Sequence, residues 1–158
     1  MEIETTLLII WYHKSMAEKI HATGILFEDE NGRILVLRRN AESPEGQTWG
    51  LVGGKLDEGE DSKTAAIRET QEEIGHIVQP NDLQFLKSYH WDRDDLDIIF
   101  DVYKLPITNH TVKLEINQNE HSEHAWLLPN ELYGQDDLMK GLYLILEDFY
   151  KVSKLLRE

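Results

Sequence analysis

The stretch from Gly53 to Gly75 reads GGKLDEGEDSKTAAIRETQEEIG and decides how the rest of the chain is interpreted. After Ser62 it contains neither proline nor glycine until Gly75, and its alanines, glutamates and glutamine favour helix. Asp61 or Ser62 is a suitable N-cap, and Gly75 suits the position just past a C-terminus. The sequence therefore predicts a loop followed by a helix that ends at Ile74.

Three carboxylates share one face of this predicted helix, because Glu69, Glu72 and Glu73 fall within roughly 100° of arc. Like charges at this spacing destabilise a helix by about 0.2–0.5 kcal/mol per pair, so a cation is expected to offset them. Mg²⁺ fits, since it takes one or two carboxylates and completes its shell with waters and substrate phosphates. Ile67 and Ile74 lie on the opposite side, where they can pack into a core. The plain alternative is a solvated acidic face.

The spacing of the fixed residues separates these alternatives. It runs from Gly54 through five residues to Glu60, then through seven residues to Arg68-Glu69, Glu72-Glu73 and Gly75. This pattern resembles the Nudix box of the MutT-like Nudix hydrolase family, here Gly54 to His76. His76 replaces a usual aliphatic residue, and Val52 replaces a frequent proline before the glycine pair. Both departures affect loop detail and leave every charged position in register.

Composition limits the remaining function classes. A chain of 158 residues with a charged fraction of 29% is most simply one soluble domain. The absence of cysteine excludes disulfides, thiolate metal sites and a cysteine nucleophile, and fits a cytoplasmic protein. A net charge of −14 argues against binding long nucleic acid. The apolar run Leu7 to Tyr12 is too short to span a bilayer, and no targeting signal is evident.

The order of predicted elements gives the domain plan. Residues 1–15 form an extension of uncertain role that we expect to be peripheral to catalysis, with strand character at 5–12, and residues 16–158 form one domain. Period-two patterns and turn signals predict strands at 21–27, 34–38, 49–52, 83–90 and 96–105, with strand character at 112–116. A loop at 120–129 runs into a short strand, and an amphipathic helix is predicted from Asp136 to Leu156.

The family resemblance makes the fold class specific. It implies an α/β/α sandwich with a mixed β-sheet, in which the box forms a loop-helix-loop catalytic motif beside the sheet. A homodimer is compatible with the family.

The expected site combines charge arguments with the resemblance. A diphosphate resists attack because its oxygens are negative, so Glu69, Glu72 and Glu73 are expected to hold the divalent cation. The resemblance adds the Gly53 carbonyl, although a glycine needed only for the turn is an equal alternative. It also implies that Arg68 pairs with Glu60 and orients the loop.

The general base is left open by the sequence. Glu72 and Glu73 can act through a metal-held water, whereas the resemblance points to a carboxylate from a late loop, which offers Glu120 and Glu123. Glu120 is the preferred candidate. The neighbouring His121 and His124 are expected to be solvated, because the other ligands are all oxygen.

Candidate substrate contacts are less specific. Arg38, Arg39 and Lys55 could meet phosphates or be ordinary surface charges. Trp91 and Tyr103 could stack on a base, as could Tyr89, although aromatic residues in strands usually belong to the core.

The resulting hypothesis is an enzyme that cleaves the diphosphate linkage of a nucleoside diphosphate linked to a further group X. A water activated by Mg²⁺ or Mn²⁺ attacks phosphorus. The patterns of NADH-cleaving and ADP-ribose-cleaving relatives are absent, which leaves nucleoside triphosphates, oxidised nucleotides and nucleotide sugars. The alternatives are a catalytically inactive Nudix-domain sensor and an acidic calcium-binding protein. Isopentenyl diphosphate isomerase chemistry is excluded because it needs a cysteine.

Overall fold

The computed structural model describes residues 2–107 and 112–150. Its helices are α1 (Glu2–Met16), α2 (Ser62–Ile74), α3 (Pro129–Tyr133) and α4 (Lys140–Tyr150), with a 3-10 turn at Pro80–Asp82. Its strands are β1 (Glu18–Glu28), β2 (Ile34–Arg39), β3 (Trp49–Gly50), β4 (Val52–Lys55), β5 (Gln84–Arg93), β6 (Leu96–Pro106) and β7 (His121–Leu127). The strands predicted at 21–27, 34–38, 83–90 and 96–105 are therefore present, mostly with longer bounds, and the strand predicted at 49–52 is divided between β3 and β4.

The strands form one mixed sheet around β1. Along one edge β1 pairs in parallel with β6, from Glu18 opposite Leu96 to Glu28 opposite Pro106, and β5 follows antiparallel. Along its other edge β1 pairs antiparallel with β4 and, at Glu28, with β2. β2 in turn carries β3 and β7. On this side β1 therefore has two partners in succession, β4 along residues 22–25 and β2 at Glu28, so the sheet splits into two branches there.

Helices cover both faces of this sheet. On one face α2 contributes Ala66 and Ile74 to a core that includes Phe27 and Val52. On the other face α4 contributes Leu142, Ile145 and Leu146 to a second core around Leu26 and Val36. The α/β/α sandwich expected from the sequence is confirmed.

The predicted helix of the box is confirmed at both ends. Asp61 is its N-cap, and its Oδ1 accepts a hydrogen bond from the Thr64 N–H at 2.9 Å. Gly75 follows Ile74 with φ of +69°, and its N–H donates to the Gln71 carbonyl. This left-handed conformation favours glycine because a side chain would strain it.

The strand predicted at residues 5–12 is wrong, because these residues lie within helix α1. Their large apolar side chains remain exposed, for example Leu7 at 60% and Trp11 at 68%. No helix among the described residues is long and apolar enough to cross a bilayer. The division of the chain at residues 15 and 16 stays a prediction.

Strand structure at 112–116 is also not observed. The main-chain donors of this segment face helix α2 instead, where the Glu115 and Asn117 N–H groups donate to the carbonyls of Ile74 and Glu73. Val112, Leu114 and Ile116 still pack against the core. The segment satisfies the free C-terminal carbonyls of α2, which explains why it joins no sheet.

The predicted helix from Asp136 to Leu156 begins later, at Lys140. Residues 137–139 pair with β3 instead: the Trp49 N–H donates to the Asp137 carbonyl, and the Met139 N–H donates to the Trp49 carbonyl. Residues 151–156 of the predicted helix lie outside the described residues.

Candidate active site

Arg68 organises the loop that precedes α2. Its Nε and Nη2 atoms donate to the two carboxylate oxygens of Glu60, both at 2.9 Å, and Nη2 also donates to the Lys55 carbonyl at 3.1 Å. Glu60 in turn accepts the Asp57 N–H at 2.9 Å. A bidentate guanidinium–carboxylate pair has a fixed geometry, so it ties the loop to the helix. Arg68 and Glu60 therefore form the ion pair that the family resemblance implied.

Glu69 and Glu72 lie on the same side of α2 as Arg68. Arg68 Nη1 is 2.9 Å from Glu69 Oε1 and 3.4 Å from Glu72 Oε2. Burial raises the pKa of Glu69, and the Arg68 guanidinium opposes this rise. A Cβ at Gly54 would lie only 2.5 Å from the Glu69 carboxyl carbon, so this glycine permits the close approach. Glu72 is half exposed and accessible to a ligand.

Glu73 is buried and is held from two sides. One carboxylate oxygen accepts the Gly53 N–H at 2.8 Å, and the other lies 2.9 Å from His121 Nε2. Burial raises the pKa of Glu73, and the hydrogen bond with His121 opposes it. A Cβ at Gly53 would lie 2.1 Å from the Thr23 carbonyl oxygen, so only glycine fits at this point of the pairing between β4 and β1.

His121 differs from the sequence-based expectation. It was expected to be solvated, but only 5% of the residue is exposed, and it contacts Glu73 directly. Its Nδ1 atom is buried and has no hydrogen-bond partner among the described residues. His124, three residues further along β7, is exposed as expected.

The late loop brings one of its two candidate carboxylates to the helix. Glu120, Glu73 and His121 each offer one ligand atom, and these atoms lie within 4.8 Å of one another. Glu120 is exposed and accepts a hydrogen bond from Asn117 Nδ2 at 3.2 Å. Glu123 instead lies 3.7 Å from Arg38 Nη1. The geometry thus favours Glu120 over Glu123 as the carboxylate near the acidic face.

The two arginines of β2 support a surface loop. Arg38 Nη2 is 3.4 Å from Asp137, and its guanidinium lies 5.6 Å from the centre of the Trp49 ring system. Arg39 Nη1 donates to the Pro44 carbonyl at 3.2 Å. Both charges therefore have structural partners within the protein, beside the loop between β2 and β3.

The remaining substrate candidates are placed differently from one another. Lys55 is exposed at the end of β4, next to Arg68. Trp91 is partly buried on the α4 face. Tyr103 is 8% exposed in the core of the α2 face, where its ring packs against Phe85 and its hydroxyl bonds Ser62. Tyr89 is also buried, so neither tyrosine meets the expectation of base stacking.

The donor set fits a hard divalent cation. Glu73, beside the main chain of Gly53, and Glu120 offer carboxylate oxygens close to one another, and Glu69 and Glu72 offer theirs around Arg68 Nη1. The two hydrogen bonds of Glu73 use only part of the roughly four acceptor positions of a carboxylate, so the group can still bind a cation. Oxygen-rich sites suit Mg²⁺ and Mn²⁺.

An oxygen-rich site on the C-terminal half of the helix in a loop-helix motif, on an α/β/α sandwich, defines the class of protein. The family model described as NUDIX domain matches residues 19–149. The chain therefore belongs to the Nudix family. It is similar to pyrophosphohydrolases of this family.

Named relatives agree with this assignment. The chain is 32% identical over 94 residues to a nucleoside triphosphate pyrophosphatase/Nudix hydrolase fusion protein of Bifidobacterium longum, covering 60% of this chain and 19% of the relative. It is 25% identical over 103 residues to the CTP pyrophosphohydrolase of Escherichia coli, covering 65% of this chain and 72% of the relative. The chain thus spans only about a fifth of the fusion protein.

A solved structure shows the same fold. The crystal structure of a MutT protein from Methanosarcina mazei has a TM-score of 0.74 and 22% identity, covering 85% of this chain and 95% of that one.

Proposed function

We propose that this protein hydrolyses the diphosphate linkage of a nucleoside diphosphate linked to a further group X, with Mg²⁺ or Mn²⁺ as cofactor. The observation that carries the proposal is the acidic face of α2. There Arg68 holds the loop and Glu69, and His121 holds Glu73 against the glycine pair.

Each residue of this face has a proposed role. Glu69, Glu72, Glu73 and the Gly53 carbonyl would hold the cation, and the chemistry it would supply is neutralisation of phosphoryl charge and a lower pKa of water. Glu120 is the proposed general base: it takes a proton from the attacking water, whose oxygen forms a bond to phosphorus while the leaving phosphate oxygen departs. Arg68 and Glu60 position the loop and do not need to touch substrate.

Nucleoside triphosphates, including oxidised ones, are the first proposed substrate class, and nucleotide sugars are the second. The names of relatives support this choice, since they include a CTP pyrophosphohydrolase and 8-oxo-dGTP diphosphatases. For a triphosphate, cleavage by water gives a nucleoside monophosphate and pyrophosphate, or a diphosphate and phosphate.

The cellular setting is also part of the proposal. We infer a cytoplasmic enzyme that acts on a small nucleotide and binds neither a membrane nor long nucleic acid. The absence of cysteine and the net charge of −14 support this setting. A homodimer remains compatible with the fold.

The test is product formation from nucleoside triphosphates, oxidised nucleotides, nucleotide sugars, ADP-ribose and dinucleoside polyphosphates, with Mg²⁺, Mn²⁺ or EDTA. We expect metal-dependent turnover of one class. Glu72→Gln keeps side-chain size but removes a charge, so kcat should fall by about 100-fold or more while the circular dichroism spectrum is unchanged.

Glu58→Gln is the matched control, because Glu58 is an exposed carboxylate in the loop before α2. It should retain full turnover. Full activity of the Glu72→Gln variant would refute the assignment of the cation site. Tight binding of one nucleotide without turnover would instead identify a ligand sensor.

A further inference from the structure

Helix α1 carries a large exposed apolar surface. Eight of its apolar residues each leave at least half of their surface exposed: Ile3, Leu7, Leu8, Ile9, Ile10, Trp11, Tyr12 and Met16. None of these eight belongs to either of the two hydrophobic cores. A helix of 15 residues that packs on no core is only marginally stable in water, so an apolar surface of this kind calls for a partner.

One face of α1 is a stripe with an apolar centre and a charge at each end. Glu4, Leu7, Trp11 and Lys14 are spaced by three, four and three residues, so they follow one another along this face. Three further apolar residues flank the row: Ile3, Leu8 and Ile10. Glu4 and Lys14 are exposed, and neither forms an ion pair with another described residue. The stripe, defined by these seven residues, therefore has one negative and one positive end.

This order of groups is complementary to itself in an antiparallel pair of helices. When two copies of α1 pack antiparallel about a two-fold axis level with residue 9, Glu4 faces Lys14 of the second copy, and Leu7 faces Trp11 of the second copy. The symmetry repeats both contacts, so an ion pair forms at each end of an apolar centre. A parallel pair would instead place Glu4 against Glu4 and Lys14 against Lys14, which like charges oppose.

The area of the stripe agrees with a small dimer interface. The exposure of its five apolar residues runs from 57% for Ile10 to 76% for Ile3. Since a large apolar residue has roughly 150–250 Å² of surface, the stripe offers about 600 Å² per copy and about 1,200 Å² in a pair. Stable specific interfaces begin at about 1,200 Å² of buried surface. A second copy therefore covers enough area for a reversible dimer.

A membrane surface suits the stripe less well. Helices that lie on membranes carry lysines and arginines on the face opposite their apolar stripe. Lys14 is the one such residue between positions 2 and 16, and it lies within the stripe, whereas Thr5 and Ile9 lie on the opposite face. The net charge of −14 also disfavours anionic headgroups.

We propose that α1 is a dimerisation helix whose partner is α1 of a second copy of this chain, packed antiparallel through the stripe. The interface lies outside residues 19–149, which match the family model. It is a feature of this chain in addition to the proposed hydrolysis, and it does not depend on that reaction.

Sedimentation equilibrium of the full chain tests whether a dimer forms. Between about 1 and about 100 µM, the weight-average mass should rise from 18.4 kDa towards twice that value and then level off. A chain that starts at Met16 should keep the mass of a monomer throughout. A full chain that stays monomeric would overturn the proposal, and so would a mass that keeps rising beyond that of a dimer.

Exchange of charges tests the antiparallel register. Glu4→Lys and Lys14→Glu each place like charges at both ends of the pair, so either variant should raise the Kd of the dimer by about tenfold. An equal mixture of the two variants restores opposite charges at both ends, as does the chain that carries both exchanges. Both should dimerise with a Kd within about twofold of the wild type.

Asp82→Lys is the control for the change in net charge, because Asp82 is exposed in the 3-10 turn. It should keep the Kd of the wild type. An unchanged Kd in both single exchanges of Glu4 and Lys14 would overturn the proposal, since a parallel pair or another surface predicts that result.

Truncation of apolar side chains tests which face of α1 is covered. Leu7→Ala and Trp11→Ala should each raise the Kd by about tenfold or more, because residues at the centre of an interface carry most of the binding energy. Ile9→Ala is the matched control, since it removes an exposed side chain from the opposite face. It should leave the Kd within about twofold of the wild type. A larger effect of Ile9→Ala than of Leu7→Ala would overturn the assignment of the stripe.

Flotation with lipid vesicles separates a second copy from a membrane as the occupant of the stripe. With phosphatidylcholine vesicles, and with vesicles that also contain phosphatidylserine, the full chain should stay in the lipid-free fraction. A chain that floats with either kind of vesicle and sediments as a monomer in their absence would assign the stripe to a membrane and overturn the proposed dimer.

Discussion

Glu73 and His121 bury a carboxylate and an imidazole side by side, with 4% and 6% of their side chains exposed. Burial of either group alone would cost several kcal/mol, whereas the hydrogen bond between them and the Gly53 N–H offset this cost. The pair also holds Glu73 at the position from which it faces the glycine backbone. Glu73 therefore belongs both to the contact with His121 that stabilises the fold and to the proposed cation site.

Loss of His121 is expected to destabilise the fold even without metal. His121→Ala leaves Glu73 buried with one hydrogen bond, so the free energy of unfolding should fall by about 3 kcal/mol. His121→Gln should recover part of this loss, because its amide can donate to Glu73. Urea unfolding in EDTA measures the effect, with exposed His124→Ala as the control on the same strand. Equal stability of the two alanine variants would contradict this account.

The position of His121 could not be predicted from alternation along β7. Trp126 packs on the α2 face, and residues an odd number apart point to opposite faces of a regular strand. His121 would then face α4. In the pairing of β2 with β7, Arg38 lies opposite Glu123 but Arg39 lies opposite His121. The register shifts there, and Ser122 has no partner residue on β2. This shift turns His121 towards Glu73, and no pattern in the sequence marks it.

At the scale of elements, the sequence predicted those structures that form through contacts between residues close together in the chain. Helix α2 has its cap residues, its acidic face and its Arg68–Glu60 pair within a single stretch, and all three could be anticipated. The segments 112–117 and 137–139 have apolar or periodic sequences, but their main-chain partners are the end of α2 and strand β3. Such partners are distant in sequence, so propensity alone assigned these segments wrongly.

Helix α1 is the element whose removal should matter least to the site. Its apolar residues stay exposed, and the family match begins at residue 19. A chain that starts at Met16 should therefore keep kcat and KM within about twofold and unfold with the same free energy within about 0.5 kcal/mol. Steady-state kinetics and urea unfolding of both chains measure this. A folded but inactive shortened chain would show that α1 contributes to catalysis.

At the scale of the whole molecule, the charge of −14 acts against the proposed substrate. Nucleoside triphosphates remain anionic as Mg²⁺ complexes, and like charges slow diffusional encounter at low ionic strength. Arg38 and Arg68 are engaged by carboxylates of the protein, which weakens any local attraction. The field that an approaching nucleotide meets is therefore predominantly repulsive.

Added salt should accordingly raise the rate of productive encounter. As NaCl increases from about 20 to about 200 mM, the screening length shortens to below about 10 Å, so kcat/KM should rise by about twofold at constant free Mg²⁺. KCl should act like NaCl, because the effect depends on ionic strength rather than on a specific ion. A fall in kcat/KM over this range would show that a local positive field, most plainly that of exposed Lys55, steers the nucleotide instead. Lys55→Gln would then abolish the fall, since the residue stands at the end of β4 beside the acidic face.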